Sequence, residues 1–148
     1  MAKGMAYHHR SARAEQCVHH QAHTGGGCLD TGIMTAASVL DLVTAYPSLR
    51  VKGVLQKVVG ISERALKGRV SRNPGATLST EQSLRARQLA EILDKATQVM
   101  GARNGAEAWM GRRAIGLDGR VPLDVLTLPD GFSMLRDHLI RLEYGVYI

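Results

Sequence analysis

The sequence predicts an all-α protein. Of its 148 residues, 45% are hydrophobic but only 4% are aromatic, so a core must be built from Leu, Val, Ile, Ala and Met, which suits helices better than packed sheets. Apolar residues recur at helical spacing in several segments, and residues that cap helices precede those segments. This length is enough for one compact domain or for two small helical units that share a core.

Residues 1–33 show almost no apolar periodicity, and we expect a disordered arm there. The arm contains five residues of types that can bind zinc, namely Cys17, His19, His20, His23 and Cys28. Their spacing matches no zinc motif, so we predict no metal site, no disulfide and no cofactor. No run is apolar enough for a membrane span or a signal peptide, and we expect a cytoplasmic protein.

The first helix is predicted to follow Thr35, whose hydroxyl can cap it. Its apolar residues are Val39, Leu40, Leu42 and Val43. Pro47 marks its end because the proline ring prevents the helix from continuing.

Residues 51–72 are predicted to form helix, tight turn and helix, which makes residues 34–78 a helix-turn-helix-like domain. Gly60 permits the turn and Ser62 caps the second helix. We expect the second helix to pack against the first through Ala65, Leu66 and Val70.

Positive charge is concentrated in the same segment. Residues 50–72 hold seven basic residues and one acidic residue, whereas the remaining twelve basic and twelve acidic residues balance. The outward side of the second helix carries the candidate DNA-binding residues Arg64, Lys67, Arg69 and Arg72. A solvated basic face is the commoner explanation of such a charge, so both interpretations stay open.

A long connecting helix is predicted over residues 79–101. Ser79 and Gln82 have the spacing of a capping box, and Gly101 can end the helix. Its apolar stripe comprises Leu89, Ile92, Leu93, Ala96, Val99 and Met100. On the opposite face we expect ion pairs within the helix, formed by Arg87, Glu91 and Lys95.

Residues 102–148 are predicted to form a small C-terminal domain. Asn104 with Glu107 resembles a helix cap, and Trp109 is expected to anchor the core. The glycine-rich connector that follows lacks the Gly-Lys-Ser/Thr ending of a phosphate loop. We expect Ile115 and Leu117 to hold this connector against the core.

Two further helices are predicted in this domain. A short one runs from Pro122 to Leu126. The last begins near Gly131 with Asp130 as its cap, and it stops at Gly145. Its apolar stripe is Leu135, Leu139 and Leu142, and His138, beside Leu139, is expected to be a boundary or interface residue.

These segments together resemble the Xre/MbcA/ParS antitoxins, the partners of RES-domain toxins. The resemblance runs from about Leu55 to Ile148. It rests on GISERALKGRV, LSTEQSLRARQLAEILDKATQVMG, Ala108-Trp109, the stretch from Gly119 to Leu126, Gly131 and the final RLEYGVY.

The resemblance implies an N-terminal helix-turn-helix-like domain and a C-terminal toxin-binding domain. It also implies a toxin that degrades NAD or transfers ADP-ribose, with the antitoxin's C-terminal segment lying over the NAD pocket. The candidate inhibitory residues are Arg141, Glu143, Tyr144, Val146, Tyr147 and Ile148. Arg120 is a weaker candidate for contact with an acidic group of the toxin.

Occlusion of the NAD pocket is also a reasonable hypothesis from chemistry. Tyr144, Tyr147 and Ile148 offer a flat apolar surface for the base site, and Glu143 with the terminal carboxylate offers negative charge at the phosphate site. Without the resemblance, Arg141 and Glu143 are better explained as an exposed pair contributing about 0–1 kcal/mol.

We expect no enzymatic activity, because the helical part holds one histidine, His138, and no recognisable catalytic arrangement. The expected partners are a RES-domain toxin, a second copy of the chain in a homodimer and in a hetero-oligomer with the toxin, and, as a second activity, operator DNA. A plain helix-turn-helix transcription regulator without a toxin is the alternative.

Overall fold

The computed structural model describes residues 32–145. The arm predicted over residues 1–33, with its cysteines and histidines, lies outside the described residues except for its last two. Val146, Tyr147 and Ile148 also lie outside them.

The described residues form seven α-helices and no strand, which confirms the all-α prediction. The helices are α1 (Ala36–Ala45), α2 (Val54–Val59), α3 (Glu63–Arg72), α4 (Thr80–Met100), α5 (Arg103–Met110), α6 (Pro122–Leu126) and α7 (Gly131–Glu143). Two short 3-10 segments, Pro47–Gly53 and Ile115–Leu117, connect them. None of these helices is long and apolar enough to cross a lipid bilayer.

Three predicted helix caps are confirmed. The Thr35 hydroxyl accepts the amide hydrogen of Ser38 at 3.1 Å, and the Ser62 hydroxyl accepts that of Ala65 at 3.2 Å. Ser79 forms both hydrogen bonds of a capping box with the residue three positions later. Each hydroxyl satisfies an amide that the helix itself leaves unpaired.

The helix-turn-helix segment differs from the prediction in two respects. Its first helix begins at Val54 rather than at residue 51, because Lys52 (φ 52°) and Gly53 (φ 64°) adopt the left-handed conformation. Its second helix, α3, packs against α1 rather than against α2. Leu66 is buried in that contact, whereas Ala65, predicted to lie there too, is exposed.

Helix α4 is the centre of the fold, with α2, α5 and α7 packed along it. Its predicted stripe is buried at Leu89, Ile92, Leu93 and Ala96, and Gly101 (φ 82°) ends the helix in the left-handed conformation as predicted. The predicted cap of α5 is wrong, because Ala102 occupies the cap position without a side-chain hydrogen bond. Glu107 instead accepts hydrogen bonds from the amide and hydroxyl of Ser48.

The buried apolar side chains form a single cluster that extends from Ala36 to Leu139. Helix α6 begins at Pro122 as predicted and packs against α7. The division into 34–78, 79–101 and 102–148 stays a prediction. The fold brings two surfaces of interest to the outside, the outer face of α7 and the outer face of α3.

Candidate functional site

The outer face of α7 exposes two apolar side chains one helical turn apart. The inner face buries Leu135 and Leu139 completely. On the opposite face Ile140 is 38% exposed and Tyr144 is 78% exposed. Residues four apart on a helix are neighbours, so these two side chains form a small apolar surface at the carboxyl end of α7.

The backbone forms the two ends of α7 in different ways. Gly145 (φ 71°) takes the left-handed conformation and donates its amide hydrogen to the Leu142 carbonyl at 3.1 Å, which confirms the predicted stop. The predicted side-chain cap by Asp130 is wrong. Asp130 has φ −100° and ψ 14° instead of the extended backbone that a capping side chain requires. A turn ending in the bond from the Gly131 amide to the Leu128 carbonyl starts the helix instead.

Glycine is needed at the start of α7 because α6 passes very close. A Cβ atom added to Gly131 would lie 2.0 Å from the carbonyl oxygen of Val125 and 3.1 Å from the Cα atom of Leu126. Both contacts are with backbone atoms, which cannot rotate away. The close approach sets how α7 leaves α6 and therefore where the outer face of α7 points.

Two ion pairs join α7 to α4. Lys95 pairs with Glu143, and an Arg136 Nη lies 3.6 Å from a carboxylate oxygen of Glu91. The pairs predicted within α4 are therefore wrong for Glu91 and Lys95, because α7 lies within reach of these long side chains. Pairs this exposed contribute about 0–1 kcal/mol each.

An aromatic stack lies on the inner side of the same helix. The rings of Trp109 and His138 have centroids 6.0 Å apart and planes 11° apart, and both side chains are buried. Trp109 is thus the core anchor that was predicted, whereas His138 is a core residue rather than a boundary residue. Burial lowers the pKa of His138 below its ordinary value, and the positive charge of Arg141 lowers it further.

Three of the six predicted inhibitory residues lie together at the end of α7. Arg141, Glu143 and Tyr144 are all exposed there. Arg141 makes no ion pair with residues 32–145, whereas Glu143 is engaged by Lys95. The other three, Val146, Tyr147 and Ile148, lie outside the described residues.

Helix α3 presents the predicted basic face. Arg64, Lys67 and Arg72 are exposed and Arg69 is partly buried. Three of these four, Arg64, Arg69 and Arg72, line a shallow depression together with Ser62, Ala65 and Gly68. Lys67 differs from the others because its ammonium group lies 3.1 Å from Glu63.

Glu63 neutralises part of the positive charge on this segment. Arg50 also contacts its carboxylate, at 3.1 Å. The hydrogen bond from Lys67 is the largest cause that lowers the pKa of Glu63. Burial opposes it, and the hydrogen bond from Arg50 and the charges of Arg50 and Lys67 lower the pKa further. Among residues 32–145, the positive charge of α3 that has no acidic partner is therefore carried by its arginines.

Ile115 is the main surface residue that the sequence pattern assigned wrongly. It was predicted to hold the connector against the core, but it is 89% exposed, and Leu117 alone is buried. A 3-10 segment has about three residues per turn, so residues two apart point in different directions. Ile140 was also missed, although its position opposite the apolar stripe of α7 could have identified it.

Residues 95–145 match the family model of the antitoxin Xre/MbcA/ParS C-terminal toxin-binding domain. The chain is also 28% identical over 113 residues to an "Antitoxin Xre" from Yersinia enterocolitica serotype O:8 / biotype 1B, an alignment that covers 76% of this chain and 74% of the relative. Over residues 95–145 the chain is thus of the Xre/MbcA/ParS antitoxin type. In this antitoxin the matched span begins in the second half of α4 and includes α5, α6, α7 and the Ile115–Leu117 turn.

The ion pair between Lys95 and Glu143 joins the two ends of the matched span. Lys95 is the first residue of that span, and Glu143 lies near its end. The described part of the antitoxin brings together no three His, Cys, Asp or Glu side chains that could hold a metal ion.

Proposed function

We propose that this antitoxin neutralises a RES-domain toxin by covering the toxin's NAD pocket with the end of α7 and the three residues that follow Gly145. The observation that carries the proposal is the 78% exposure of Tyr144 within a span that matches a toxin-binding domain. An aromatic ring held on the end of a packed helix loses little conformational freedom on binding, and such residues dominate many interfaces.

The chemistry of an NAD pocket favours the residues at this end of the chain. A pocket for NAD must present cationic groups or helix N-termini to the pyrophosphate and apolar walls to the bases. Tyr144 offers a flat ring for such a wall, and Glu143 offers a carboxylate for the cations. Since Lys95 holds that carboxylate in the free antitoxin, binding requires Glu143 to exchange Lys95 for a cation of the toxin or to share both.

The proposal is tested by titrating the NAD-consuming activity of a candidate cognate RES-domain toxin with the antitoxin. A chain that ends at Gly145 is expected to bind the toxin but to inhibit it less than the full chain does. Tyr144→Ala should weaken binding by about 2 kcal/mol or more. Leu84→Ala is the matched control, because Leu84 is 52% exposed on α4 and lies outside the matched span. Equal inhibition by the full and shortened chains would contradict occlusion by the last residues.

Operator binding through α3 is the second candidate function. The arginines on the outer face of α3 favour it, because sequence-independent DNA affinity comes largely from charge on the phosphates. One small helix-turn-helix unit buries too little surface for tight specific binding, so the proposal includes a homodimer on a symmetric site.

The salt dependence of DNA binding tests this second function. Arg64→Ala and Arg69→Ala should each lower the affinity and flatten the dependence on salt by about one unit of slope. Lys67→Ala should do less, because Glu63 already neutralises Lys67. Arg85→Ala on α4 is the control. Unchanged affinity and slope in all the α3 variants would exclude DNA contact by this face.

A plain transcription regulator would behave differently in the first of these experiments. It would bind DNA but leave the RES-domain protein active at every antitoxin concentration. The match of residues 95–145 to a toxin-binding domain, together with the similarity to an antitoxin, makes a non-catalytic regulator of a toxin the better proposal.

A further inference from the structure

The turn between α5 and α6 presents the most exposed large apolar side chain of residues 32–145. Ile115 is 89% exposed, more than any other large apolar residue in that part of the chain. A single exposed apolar side chain needs no explanation by itself. The residues around Ile115 decide whether its exposure indicates a binding surface.

The turn is rigid. Ala114 and Arg120 form an isolated bridge, and five backbone hydrogen bonds of 3.0 to 3.1 Å lie within residues 114–120. Leu117 anchors the turn in the core, and the turn packs against α7. The exposed side chain of Ile115 therefore extends from a hydrogen-bonded turn. Binding this side chain to a partner would require little further ordering of the chain.

Positive charge surrounds the exposed side chain. Arg112 and Arg113 precede Ile115, and Arg120 lies across the bridge. All three are exposed, and none makes an ion pair with another described residue. Asp118 is the one acidic residue between positions 111 and 121. An apolar residue among unpaired arginines is the composition of an interface centre and its rim.

We propose that this turn is a second contact surface for the toxin, separate from the end of α7, and that Ile115 enters an apolar depression with carboxylates at its edge. The inference rests on the proposed toxin binding. Two observations identify the toxin as the occupant. The turn lies inside the span that matches a toxin-binding domain, and it packs against α7, which carries the first contact.

The dissociation constant of the complex tests this surface. Ile115→Ala should raise it about tenfold or more, which corresponds to losing the burial of a large aliphatic side chain. The melting temperature of the free antitoxin should not change, because Ile115 contributes almost nothing to the core. Leu84→Ala removes an exposed apolar side chain of similar size outside the matched span and should leave the dissociation constant unchanged.

The arginines are tested by the rate of association. A variant carrying Arg113→Gln and Arg120→Gln should associate more slowly and show a weaker dependence on salt, because complementary charge acts mainly on the association rate. An unchanged rate and salt dependence would remove the acidic edge from the proposal.

The outcomes separate this inference from the proposed function. If the full antitoxin binds no RES-domain toxin, both fail. If the antitoxin binds and Ile115→Ala binds equally well, only the second surface fails. If Ile115→Ala instead reduces the mass of the free antitoxin in light scattering, the turn contacts a second copy of this chain, and the proposal is overturned.

Discussion

Replacing Gly131 by alanine should destabilise the protein strongly. The added Cβ atom would lie 2.0 Å from the Val125 carbonyl oxygen, so α6 and α7 would have to separate by about 1 Å or more before ordinary contact distances return. Overpacking of this kind costs about 3 kcal/mol when backbone must move. For a chain of this size the melting temperature should fall by about 10 °C.

The matched control is the same change on α3. A Cβ atom at Gly68 would meet only the end of the Arg72 side chain, at 3.8 Å. Gly68→Ala should therefore stabilise the protein by up to about 1 kcal/mol, because alanine has the higher helix propensity. Both variants are compared with the wild type by thermal unfolding followed by circular dichroism. A Gly131→Ala protein as stable as the wild type would refute the close packing of α6 on α7.

Three further outcomes are expected. Folding lowers the pKa of His138 below its ordinary value of 6.5. The buried neutral ring is therefore tolerated above that pH, and the folded protein loses stability as the pH falls below it, because the unfolded chain then binds a proton that the folded one does not. His138→Phe should reduce the drop in melting temperature between about pH 7.5 and about pH 5.5. Ser79→Ala should cost about 1 kcal/mol in chemical denaturation through loss of the capping box of α4, and Ser79→Asp should recover most of it. Lys95→Met should change stability by less than about 1 kcal/mol. It frees the carboxylate of Glu143 and should therefore strengthen toxin binding measured by calorimetry, whereas Glu143→Gln should weaken that binding. Equal weakening by both variants would mean that the ion pair persists in the complex.

Local signals predicted most of the helical framework. The ends of α1, α4, α6 and α7 were predicted correctly. They are fixed by serine and threonine caps, by left-handed glycines and by Pro122, all of which affect only the backbone close to them in the sequence. The caps assigned to Asn104 and Asp130 failed because a capping side chain also needs an extended backbone. In the structure Ala102 takes the cap position of α5, and a turn from α6 fixes the backbone at Asp130.

Contacts between segments distant in the sequence were not predictable from spacing. Glu91 and Lys95 are placed for pairs within α4, but α7 offers nearer partners. The packing of α3 on α1 likewise depends on how the chain turns through Lys52 and Gly53. The close approach at Gly131 left no sign in the local pattern beyond the glycine itself.

The candidate site was predictable in part. The exposed end of α7 follows from its apolar stripe, which places Tyr144 outside. Ile115 could not be recognised, because the pattern does not distinguish a residue that anchors a turn from one that a turn presents to solvent.

The most direct test of toxin occlusion is the inhibition pattern at varied NAD concentration. With the wild-type antitoxin, the proposal predicts that the apparent KM of the toxin for NAD rises with antitoxin concentration while kcat stays constant, and that Tyr144→Ala shifts this rise to higher concentrations. A fall in kcat at constant KM, unaffected by Tyr144→Ala, would show that the antitoxin acts away from the NAD pocket and would contradict the proposed mechanism.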